Sequence, residues 1–593
     1  MYFYASNPER RELVLGVLKV NNKQTQQTMA TVKRLIECVP NFSEGVNATI
    51  IQHIADEIRN AKGVQLLDVD PGQATNRTVV TFVGEPEAVI DAAFLAIKKA
   101  SQLIDMTNHS GEHPRMGATD VCPLIPISGV TMEETVEYAQ RLGKRVGEEL
   151  GIPVYLYEEA ASKPDRKNLA TIRAGEYEGM AAKLLKPEWE PDYGPTVLPV
   201  KHGVTAIGAR DFLIAYNVNL NTTSVRRANS VAFDVREKGR IKRKDGKLDG
   251  EILRDSKGEP IREPGTCPGI KAIGWYIPEY GVAQISMNIT DIAKTPLHRA
   301  FEECNASATQ RGLRVTGSEL VGLVPKQVML DAGRYFLKKQ QRSIGVSEEE
   351  LIKIAVKSMG LDELAPFDPK KKIIEYLITS ESGRLVEMSL AKFAHETSSE
   401  SPAPGGGSVA AYAGSLGASL GAMVANLSSH KRGWDDKWEY FSELAVEGQN
   451  IKDILLDKVD EDTEAFNKII DAIRLPKVTD ADKAARKSAI SAATRNAIEV
   501  PYSVMEVCIG AYDFLEKLVD TGNPASISDI GVGVACLDAA IVGASLNVKI
   551  NCKDYKDKEY VTGMLSDTNA LVEVSHKKSL ELIGRVERII SAD

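Results

Sequence analysis

The chain has 593 residues, of which 43% are hydrophobic and 26% are charged. It is too long for one hydrophobic core, so we expect about two to four domains of a folded, non-fibrous protein. A formal net charge of −9 argues against nucleic-acid binding, which needs a basic surface, but leaves room for a local basic pocket that holds a small anion.

Seven cysteines are scattered along the chain without a C-x-x-C pair, which indicates reduced thiols in a cytoplasmic protein and no zinc ribbon. Residues 1–32 lack the apolar core of a secretory signal, and two interpretations stay open: a disordered extension, or a true start at Met29, which we slightly prefer. Residues 408–427 carry no charge and are long enough to span a bilayer, but Ala, Gly and Ser dominate them. We therefore interpret them as a helix packed inside a bundle and expect no membrane association.

The first half of the chain alternates short apolar runs with amphipathic segments, in the β-α-β-β-α order that is typical of a ferredoxin-like unit. Asn47 is the expected N-cap of the first helix. The predicted strands are 35–39, 64–69, 78–83, 123–127 and 154–158, and the predicted helices are 50–58, 88–104 and 132–150.

A similar order returns further along, which predicts a second, related α/β sandwich subdomain. The charged, glycine-rich residues 237–263 interrupt it, and we interpret them as a solvated hairpin or loop. The predicted strands are 212–220, 272–276 and 283–288, the predicted helices are 224–236 and 297–311, and the segments 314–324 and 327–338 close the unit.

The pattern changes near residue 379, beyond which the periodicity is helical and strand signals are few. The sequence therefore predicts an α/β region of two ferredoxin-like sandwich subdomains, followed by an all-α helical-bundle domain. The predicted boundaries are 1–32 for the extension, 33–212 and 213–378 for the two subdomains, 379–386 for a linker, and 387–593 for the helical domain.

The densest polar cluster of the first half is the loop 108–117, with the sequence NHSGEHPRMG. Its His109 and His113 have the spacing of a zinc pair on a helix, but the glycine between them and the proline after them disfavour a helix. A lone loop histidine is more often structural or merely exposed. Four polar groups in a loop shaped by Gly and Pro favour a site, with one catalytic histidine and Arg115 for an anion.

Further polar and glycine residues lie at strand ends and in a Gly/Pro-bounded loop, where functional residues often occur. Each also has an ordinary explanation as a turn, a helix cap or a domain connection. They are Asp70, Asn76 and Arg77 in the first subdomain and Gly194, Lys201, His202 and Gly203 in the loop.

In the helical half, Asp462 falls inside an apolar stripe that repeats at about 100° per residue along one predicted helix. The neighbouring Asp460, Glu461 and Glu464 are predicted to face solvent. Burial raises the pKa of a carboxyl group, as a general acid/base near neutral pH requires, but a buried Asp satisfied by hydrogen bonds fits equally well. The stripe consists of Leu455, Val459, Phe466, Ile469, Ile470 and Ile473.

Three glycines, Gly405, Gly406 and Gly407, precede Ser408 at the start of the small-residue helix. Their backbone N–H groups could approach an anion or a flat ligand. No Gly-Lys-Ser/Thr follows, so the motif is not a Walker A loop, and alone it is weak evidence for a site.

Nine separated stretches, in one order, resemble the bifunctional formimidoyltransferase–cyclodeaminase family from about Val32 to the C-terminal helix. They include ECVPNFSEG at 37–45, GEHPRMG at 111–117, APGGGSVA at 403–410 and VDED at 459–462. The others are 67–70, 75–79, 153–157, 173–178 and 364–369.

This resemblance implies transfer of the formimino group from N-formimino-L-glutamate to tetrahydrofolate. Cyclisation of the 5-formiminotetrahydrofolate to 5,10-methenyltetrahydrofolate then releases ammonia, within histidine degradation and one-carbon metabolism. The resemblance implies His113 as the transferase acid/base, Asp462 as the deaminase carboxylate, and folate lying against the loop from Gly194 to Gly203. It also implies a polyglutamylated tetrahydrofolate co-substrate, no metal, a cytoplasmic location and a homo-oligomer.

The residues suit this chemistry, because His113 can shuttle protons near neutral pH and Arg77 and Arg115 can pair with the two carboxylates of glutamate. Other classes stay open. One is a metal hydrolase that uses His109 and His113, and another is a non-enzymatic folate-binding scaffold. A narrower one is a transferase whose helical domain acts as a methenyltetrahydrofolate cyclohydrolase.

Overall fold

Strands and helices divide the chain as the change of sequence pattern predicts. All strands of the described residues lie before residue 322, and every later element is helical, which confirms an α/β region followed by an all-α region. Two compact units are present, Met1–Pro325 with Glu363–Ile378 and Lys326–Asp362 with Thr379–Asp593. The computed structural model describes residues 34–73, 75–111, 114–244, 250–378, 384–401, 403–553 and 555–591.

The first sheet of the α/β unit has seven strands: β1 (Leu35–Cys38), β2 (Asn41–Phe42), β3 (Val64–Gly72), β4 (Arg77–Gly84), β5 (Thr119–Ser128), β6 (Val154–Glu158) and β7 (Thr205–Ala209). The short β1 and β2 both lie between β4 and β5, β3 extends the sheet beyond β4, and β7 and then β6 extend it beyond β5. β5, β7 and β6 run parallel and the other pairs antiparallel. The sequence pattern predicts no strand at β7. Its residues TAIGA are small and fully buried, so they show neither the β-branched composition nor the alternation of buried and exposed residues that indicates a strand.

Helices α1 (Ala48–Arg59), α2 (Pro86–Leu103) and α3 (Met132–Leu150) share a hydrophobic core with one face of this sheet. Asn47 caps α1 as predicted, since its side chain accepts hydrogen bonds from the N–H groups of Thr49 and Ile50. The short helices α4 (Leu169–Arg173) and α5 (Glu176–Leu184) contribute to a smaller core with β5, β6 and β7.

The second sheet is antiparallel, in the order β11-β12-β8-β13, and α6 packs against β11 and β12. The interrupting segment carries a two-stranded ribbon of β9 and β10, as the hairpin prediction anticipates. Bounds are β8 Ile214–Leu220, α6 Val225–Val235, β9 Arg240–Ile241, β10 Arg262–Glu263, β11 Ile270–Ile277, β12 Val282–Ile289, α7 Leu297–Gln310 and β13 Val315–Val321.

The remaining helices are α8 (Lys326–Lys339), α9 (Glu348–Met359), α10 (Pro369–Lys372), α11 (Ile374–Ile378), α12 (Leu390–Thr397), α13 (Gly406–Ser429), α14 (Trp438–Arg474), α15 (Asp480–Thr521), α16 (Ile527–Cys552) and α17 (Lys558–Ser591). Helix α13, the charge-free segment, lies at the centre of the bundle against α14, α15 and α16. A methyl group at Gly421 would collide with the ring of Phe514, so glycine is what allows this close approach. By length and composition, α13 and Pro524–Cys552 could each cross a membrane, and in the structure α13 is a packed bundle helix as predicted.

Helices α8 and α9 belong to the helical unit, although they precede the boundary at 378 that the sequence suggests. The Ile344 N–H donates to Ser442 Oγ at 3.0 Å, and Asn426 Nδ2 donates to the Gly345 carbonyl at 2.7 Å. Contacts at such long sequence separation leave no periodic signal, so the pattern alone could not assign these helices. The domain boundaries drawn from the sequence stay predictions.

Candidate functional site

The polar loop at 108–117 is anchored on both sides of Glu112 and His113, which themselves lie outside the described residues. Asn76, at a φ of 46°, donates from Nδ2 to the Ser110 carbonyl at 2.8 Å and accepts the Gly45 N–H at 2.9 Å. A methyl group at Gly111 would collide with the Thr75 backbone. The side chain of Asn76 therefore holds the polar loop against the segment that contains Gly45. Its backbone is in the left-handed region, which Asn tolerates better than most residues do.

His109 uses both ring nitrogens within the protein. Its Nδ1 lies 3.3 Å from Arg115 Nε and its Nε2 lies 2.9 Å from the Asn76 carbonyl. Arginine can only donate and a carbonyl can only accept, so this geometry selects the neutral tautomer with the proton on Nε2. In this arrangement His109 has no lone pair for a metal, which removes a ligand from the metal-hydrolase alternative.

Arg115 is buried and already paired with protein carboxylates. Its Nη1 lies 2.8 Å from Glu178 Oε2 and 3.1 Å from Glu176 Oε2, and its Nη2 lies 2.6 Å from Glu178 Oε1. Its Nη2 also donates to the His109 carbonyl. Arg115 thus ties the polar loop to α5, and the geometry does not favour it as the partner of a substrate carboxylate.

Arg77 stands at the start of β4 beside Asp120, which is fully buried, and Arg173, whose side chain is partly exposed. Its Nη1 lies 3.8 Å from Asp120 Oδ2, and its Nη2 donates to Asn41 Oδ1. Burial lowers the pKa of Arg77 to about 10, Asp120 opposes that fall, and the positive charge of Arg173 adds to it. Sequence reasoning missed Asp120 and Arg173 as site residues, although Arg173 begins one of the stretches that carry the family resemblance.

The loop from Gly194 to Gly203 lies directly beside the polar loop. Gly203 pairs with Gly117 in an antiparallel bridge, the His202 carbonyl accepts the Ala118 N–H at 2.8 Å, and the Lys201 carbonyl accepts the Met106 N–H. The φ values of Gly194 and Gly203, 86° and 69°, need glycine, and a methyl group at Gly203 would strike the Met116 carbonyl. The structure therefore brings together two loops that are far apart in the sequence.

Asp70 lies half-buried on β3, opposite Val79 of β4. The same ladder ends with Gly72 opposite Arg77, so Asp70 is two positions from the arginine along the paired strands. Its negative charge also helps to raise the pKa of Tyr280 in the second subdomain, after the larger effects of burial, Glu319 and Glu279.

In the helical unit, Asp462 of α14 meets the first turn of α13. The Ser408 N–H and hydroxyl lie 2.9 and 3.2 Å from Asp462 Oδ2, and the hydroxyl also donates to the Val459 carbonyl at 2.8 Å. Burial raises the pKa of Asp462 above its ordinary value, and the bonds from Ser408 partly oppose the rise. A methyl group at Gly407 would collide with the Asp462 carboxylate, so the glycine motif leaves space for it.

Two parts of the helical-wheel prediction are wrong. Asp460 does not face solvent: its carboxylate accepts the Leu385 N–H at 2.6 Å and pairs with Arg384 at 3.2 Å. Phe466 and Ile473, assigned to the buried stripe, are 38% and 46% exposed, because this part of α14 buries only a narrow seam around Ala465 and Ala472.

Asn547 of α16 is a residue of this region that sequence reasoning missed. A methyl group at Gly406 would lie 3.3 Å from its Nδ2, so Asn547 and Asp462 flank neighbouring glycines from two different helices. Gly405 is the N-cap of α13, and because glycine has no side chain, no side-chain hydrogen bond caps this helix. Within the ranges described, no group of three or more His, Cys, Asp or Glu side chains is arranged to hold a metal ion.

Comparison with known families covers most of the chain. Residues 35–210 match the family "Formiminotransferase domain, N-terminal subdomain", residues 215–379 match "Formiminotransferase domain", and residues 389–570 match "Formiminotransferase-cyclodeaminase".

Relatives match nearly the whole chain or one part of it. A formimidoyltransferase-cyclodeaminase of Gallus gallus is 42% identical over 557 residues, covering 94% of this chain and 99% of the relative. A glutamate formimidoyltransferase of Thermoplasma acidophilum is 44% identical over 306 residues, 51% of this chain and 92% of the relative. A methenyltetrahydrofolate cyclohydrolase of Methylorubrum extorquens is 34% identical over 182 residues, 30% of this chain and 88% of the relative.

Proposed function

Because the chain belongs to the formimidoyltransferase–cyclodeaminase family, we propose that it is a bifunctional enzyme of one-carbon metabolism. It moves the formimino group of N-formimino-L-glutamate to N5 of tetrahydrofolate. It then closes 5-formiminotetrahydrofolate to 5,10-methenyltetrahydrofolate and releases ammonia. The proposal depends on one observation: each of the two compact units carries a polar site of its own. The α/β unit has the polar loop held by Asn76 and Arg115. The helical unit has the half-buried carboxylate of Asp462 at the glycine-rich start of a helix.

We assign the first step to the α/β unit. N5 of tetrahydrofolate attacks the formimino carbon, and the bond from that carbon to the glutamate nitrogen breaks after the nitrogen gains a proton. His113 is the proposed acid/base, since imidazole titrates near neutral pH. The proposal is supported by the clamped loop that carries His113 and by the neighbouring loop from Gly194 to Gly203, against which we expect the folate to lie.

We assign the second step to the helical unit. N10 attacks the formimino carbon and loses its proton, while the departing nitrogen gains one and leaves as ammonia. Asp462 is the proposed group for these proton transfers, because its raised pKa brings a carboxyl closer to neutral pH. One of its oxygens is held by Ser408, which fixes the direction in which the other is presented.

The test is to incubate the purified full chain with formiminoglutamate and tetrahydrofolate, and to follow methenyltetrahydrofolate absorbance and ammonia together. We expect both products in equal amounts, and neither when one substrate is omitted. Transfer without ammonia would leave a transferase only, and the absence of both products would contradict the proposal.

A second candidate for the helical unit is methenyltetrahydrofolate cyclohydrolase activity, favoured by the 34% identity to the Methylorubrum extorquens protein. The two activities are distinguished by the substrate that each one consumes. A cyclodeaminase releases ammonia from 5-formiminotetrahydrofolate, whereas a cyclohydrolase consumes supplied 5,10-methenyltetrahydrofolate and water. We favour the cyclodeaminase because the relatives that match the whole chain carry that name.

Further properties are proposed on the family membership alone. We propose a cytoplasmic homo-oligomer that takes a polyglutamylated tetrahydrofolate and needs no metal, membrane or nucleic acid. Activity after exhaustive dialysis against a chelator, and a comparison of mono- and polyglutamylated folate, would test the metal and the folate parts of this proposal.

A further inference from the structure

Asp120 binds two arginines from different parts of the α/β unit. It is fully buried, and Arg173 contacts it through Nη2 and, at 3.3 Å, through Nε. Arg77 Nη1 lies 3.8 Å from Asp120 Oδ2, the oxygen that also accepts the bond from Arg173 Nη2. Asp120 Oδ1 also accepts the Met116 N–H at 3.1 Å, which links the pair of arginines to the end of the polar loop.

Two positive charges lie close together in this cluster. The guanidinium groups of Arg77 and Arg173, with side chains only 15% and 16% exposed, both approach the carboxylate of Asp120. Burial lowers the pKa of Arg77, Asp120 opposes the fall, and the positive charge of Arg173 adds to it, so the two guanidinium groups repel each other in a poorly solvated place. An anion that binds there would relieve this repulsion.

Arg173 has the geometry to receive such an anion. Its Nε and Nη2 both donate to Asp120, and its Nη1 makes no hydrogen bond among the residues that the structure describes. Asp120 therefore fixes the plane of the guanidinium group and leaves the N–H donors of Nη1 available. Arg115 differs, because Glu176 and Glu178 already occupy its fork.

We propose that Arg77 and Arg173, oriented by Asp120, form a subsite that binds a carboxylate of a glutamate moiety during formimino transfer. The proposal rests on the proposed transferase function and adds Arg173 to it. Both substrates offer this group, since formiminoglutamate carries two carboxylates and tetrahydrofolate ends in glutamate. In both substrates the group is a planar carboxylate, which can accept two parallel N–H hydrogen bonds from one guanidinium group.

The test compares Arg173→Gln, Arg173→Lys and the control Arg311→Gln in the full chain. Arg311 is an arginine of similar exposure that pairs with Asp234 in the second subdomain. For Arg173→Gln we expect KM for one substrate to rise at least about 10-fold, as for a lost hydrogen bond to a charged group, with a smaller change in kcat. Lysine keeps the charge without the fork, so Arg173→Lys should recover only part of the loss.

The two KM values identify the source of the carboxylate. A rise for formiminoglutamate assigns the subsite to that substrate, and a rise for tetrahydrofolate assigns it to the folate glutamate. Both KM values within about 2-fold of wild type, well below the effect of such a bond, would overturn the subsite. So would a fall in kcat alone for both Arg173 variants.

Circular dichroism of the full chain reports folding of the α/β unit, and we expect the wild-type spectrum for all three variants. If Arg173→Gln unfolded this unit, Arg173→Lys alone would decide: a KM equal to wild type would reject the subsite. Absence of formimino transfer in the wild-type chain would count against the proposed function itself, which separates the two failures.

Discussion

Ser408 holds one oxygen of Asp462: its backbone N–H donates to Oδ2 at 2.9 Å, and its hydroxyl, which donates to the Val459 carbonyl at 2.8 Å, lies 3.2 Å from the same oxygen. Both groups belong to the first turn of α13, where the helix dipole favours a negative charge. Asp462 Oδ1 accepts no hydrogen bond from the residues that the structure describes. The carboxylate is thus held by one oxygen, and the other is available to a reacting group.

Asp462→Asn should stop ammonia release and leave formimino transfer intact, so that 5-formiminotetrahydrofolate accumulates. Asn keeps the volume and can still accept the Ser408 N–H, but it cannot exchange a proton at neutral pH. Loss of a general acid/base commonly costs about 10² to 10⁴-fold in rate. The measurement is ammonia release from supplied 5-formiminotetrahydrofolate.

The matched control for this variant is Glu464→Gln, on the exposed face of the same helix. Asp460→Asn is not a neutral control, because Asp460 receives the Leu385 N–H and the Arg384 side chain. Normal ammonia release by Asp462→Asn would remove this carboxylate from the mechanism.

Gly407→Ala should lower ammonia release by about 10²-fold, the effect expected when a catalytic group shifts by about 1 Å. The added methyl group would collide with the Asp462 carboxylate and push it from its place beside Ser408. Gly563→Ala is the control, since a methyl group there would meet nothing within 4 Å, and Ala is the better helix former. Equal activity of the two variants would show that Asp462 can move without consequence.

His113→Ala should abolish formimino transfer and leave cyclisation of supplied 5-formiminotetrahydrofolate unchanged. We expect a loss of about 10² to 10⁴-fold, as for other general acid/base residues. The exposed His53 of α1 offers the control His53→Ala. A fall of less than about tenfold would reduce His113 to a positioning role.

Glu37→Gln should stabilise the α/β unit at alkaline pH. Burial raises the pKa of Glu37 to about 7, Arg210 opposes the rise, and Glu375 adds to it. The proton is therefore bound more tightly in the folded state. The resulting stability is complete below the ordinary pKa of 4.5 and is lost as pH rises to about 7.

Because Gln is neutral throughout, the variant should match wild type near pH 4.5 and exceed it at pH 8 by up to about 3 kcal/mol. Thermal unfolding of both proteins at several pH values measures this difference. Glu137→Gln, on the exposed side of α3, should show no such pH dependence. A constant difference between Glu37→Gln and wild type across the range would refute the assignment.

The sequence predicts best what depends on local pattern. The bounds of α3 and β6 agree with prediction to the residue, because amphipathic periodicity, a Thr131 capping box and strand-forming residues all act within a few positions. Asp462 was distinguished by the same periodicity.

The errors concern partners that periodicity cannot show. Asp460 meets Arg384 and Leu385, about 75 residues away in the chain, and Arg173 meets Asp120 across 53 positions. A helical wheel assigns a direction to each side chain but not the backbone that approaches it from elsewhere. Site residues recruited across such distances require the folded structure.

The assignment of α8 and α9 to the helical unit has a consequence for synthesis on the ribosome. Ile344 bonds to Ser442, which is translated 98 residues later. At about 5 to 20 residues per second, the partner emerges roughly 5 to 20 s after Ile344 does. During that interval α8 and α9 have each other to pack against but lack the bundle helices that Ile344 and Gly345 bond to in the folded chain, so this part of the helical unit can be completed only after α14 has been made.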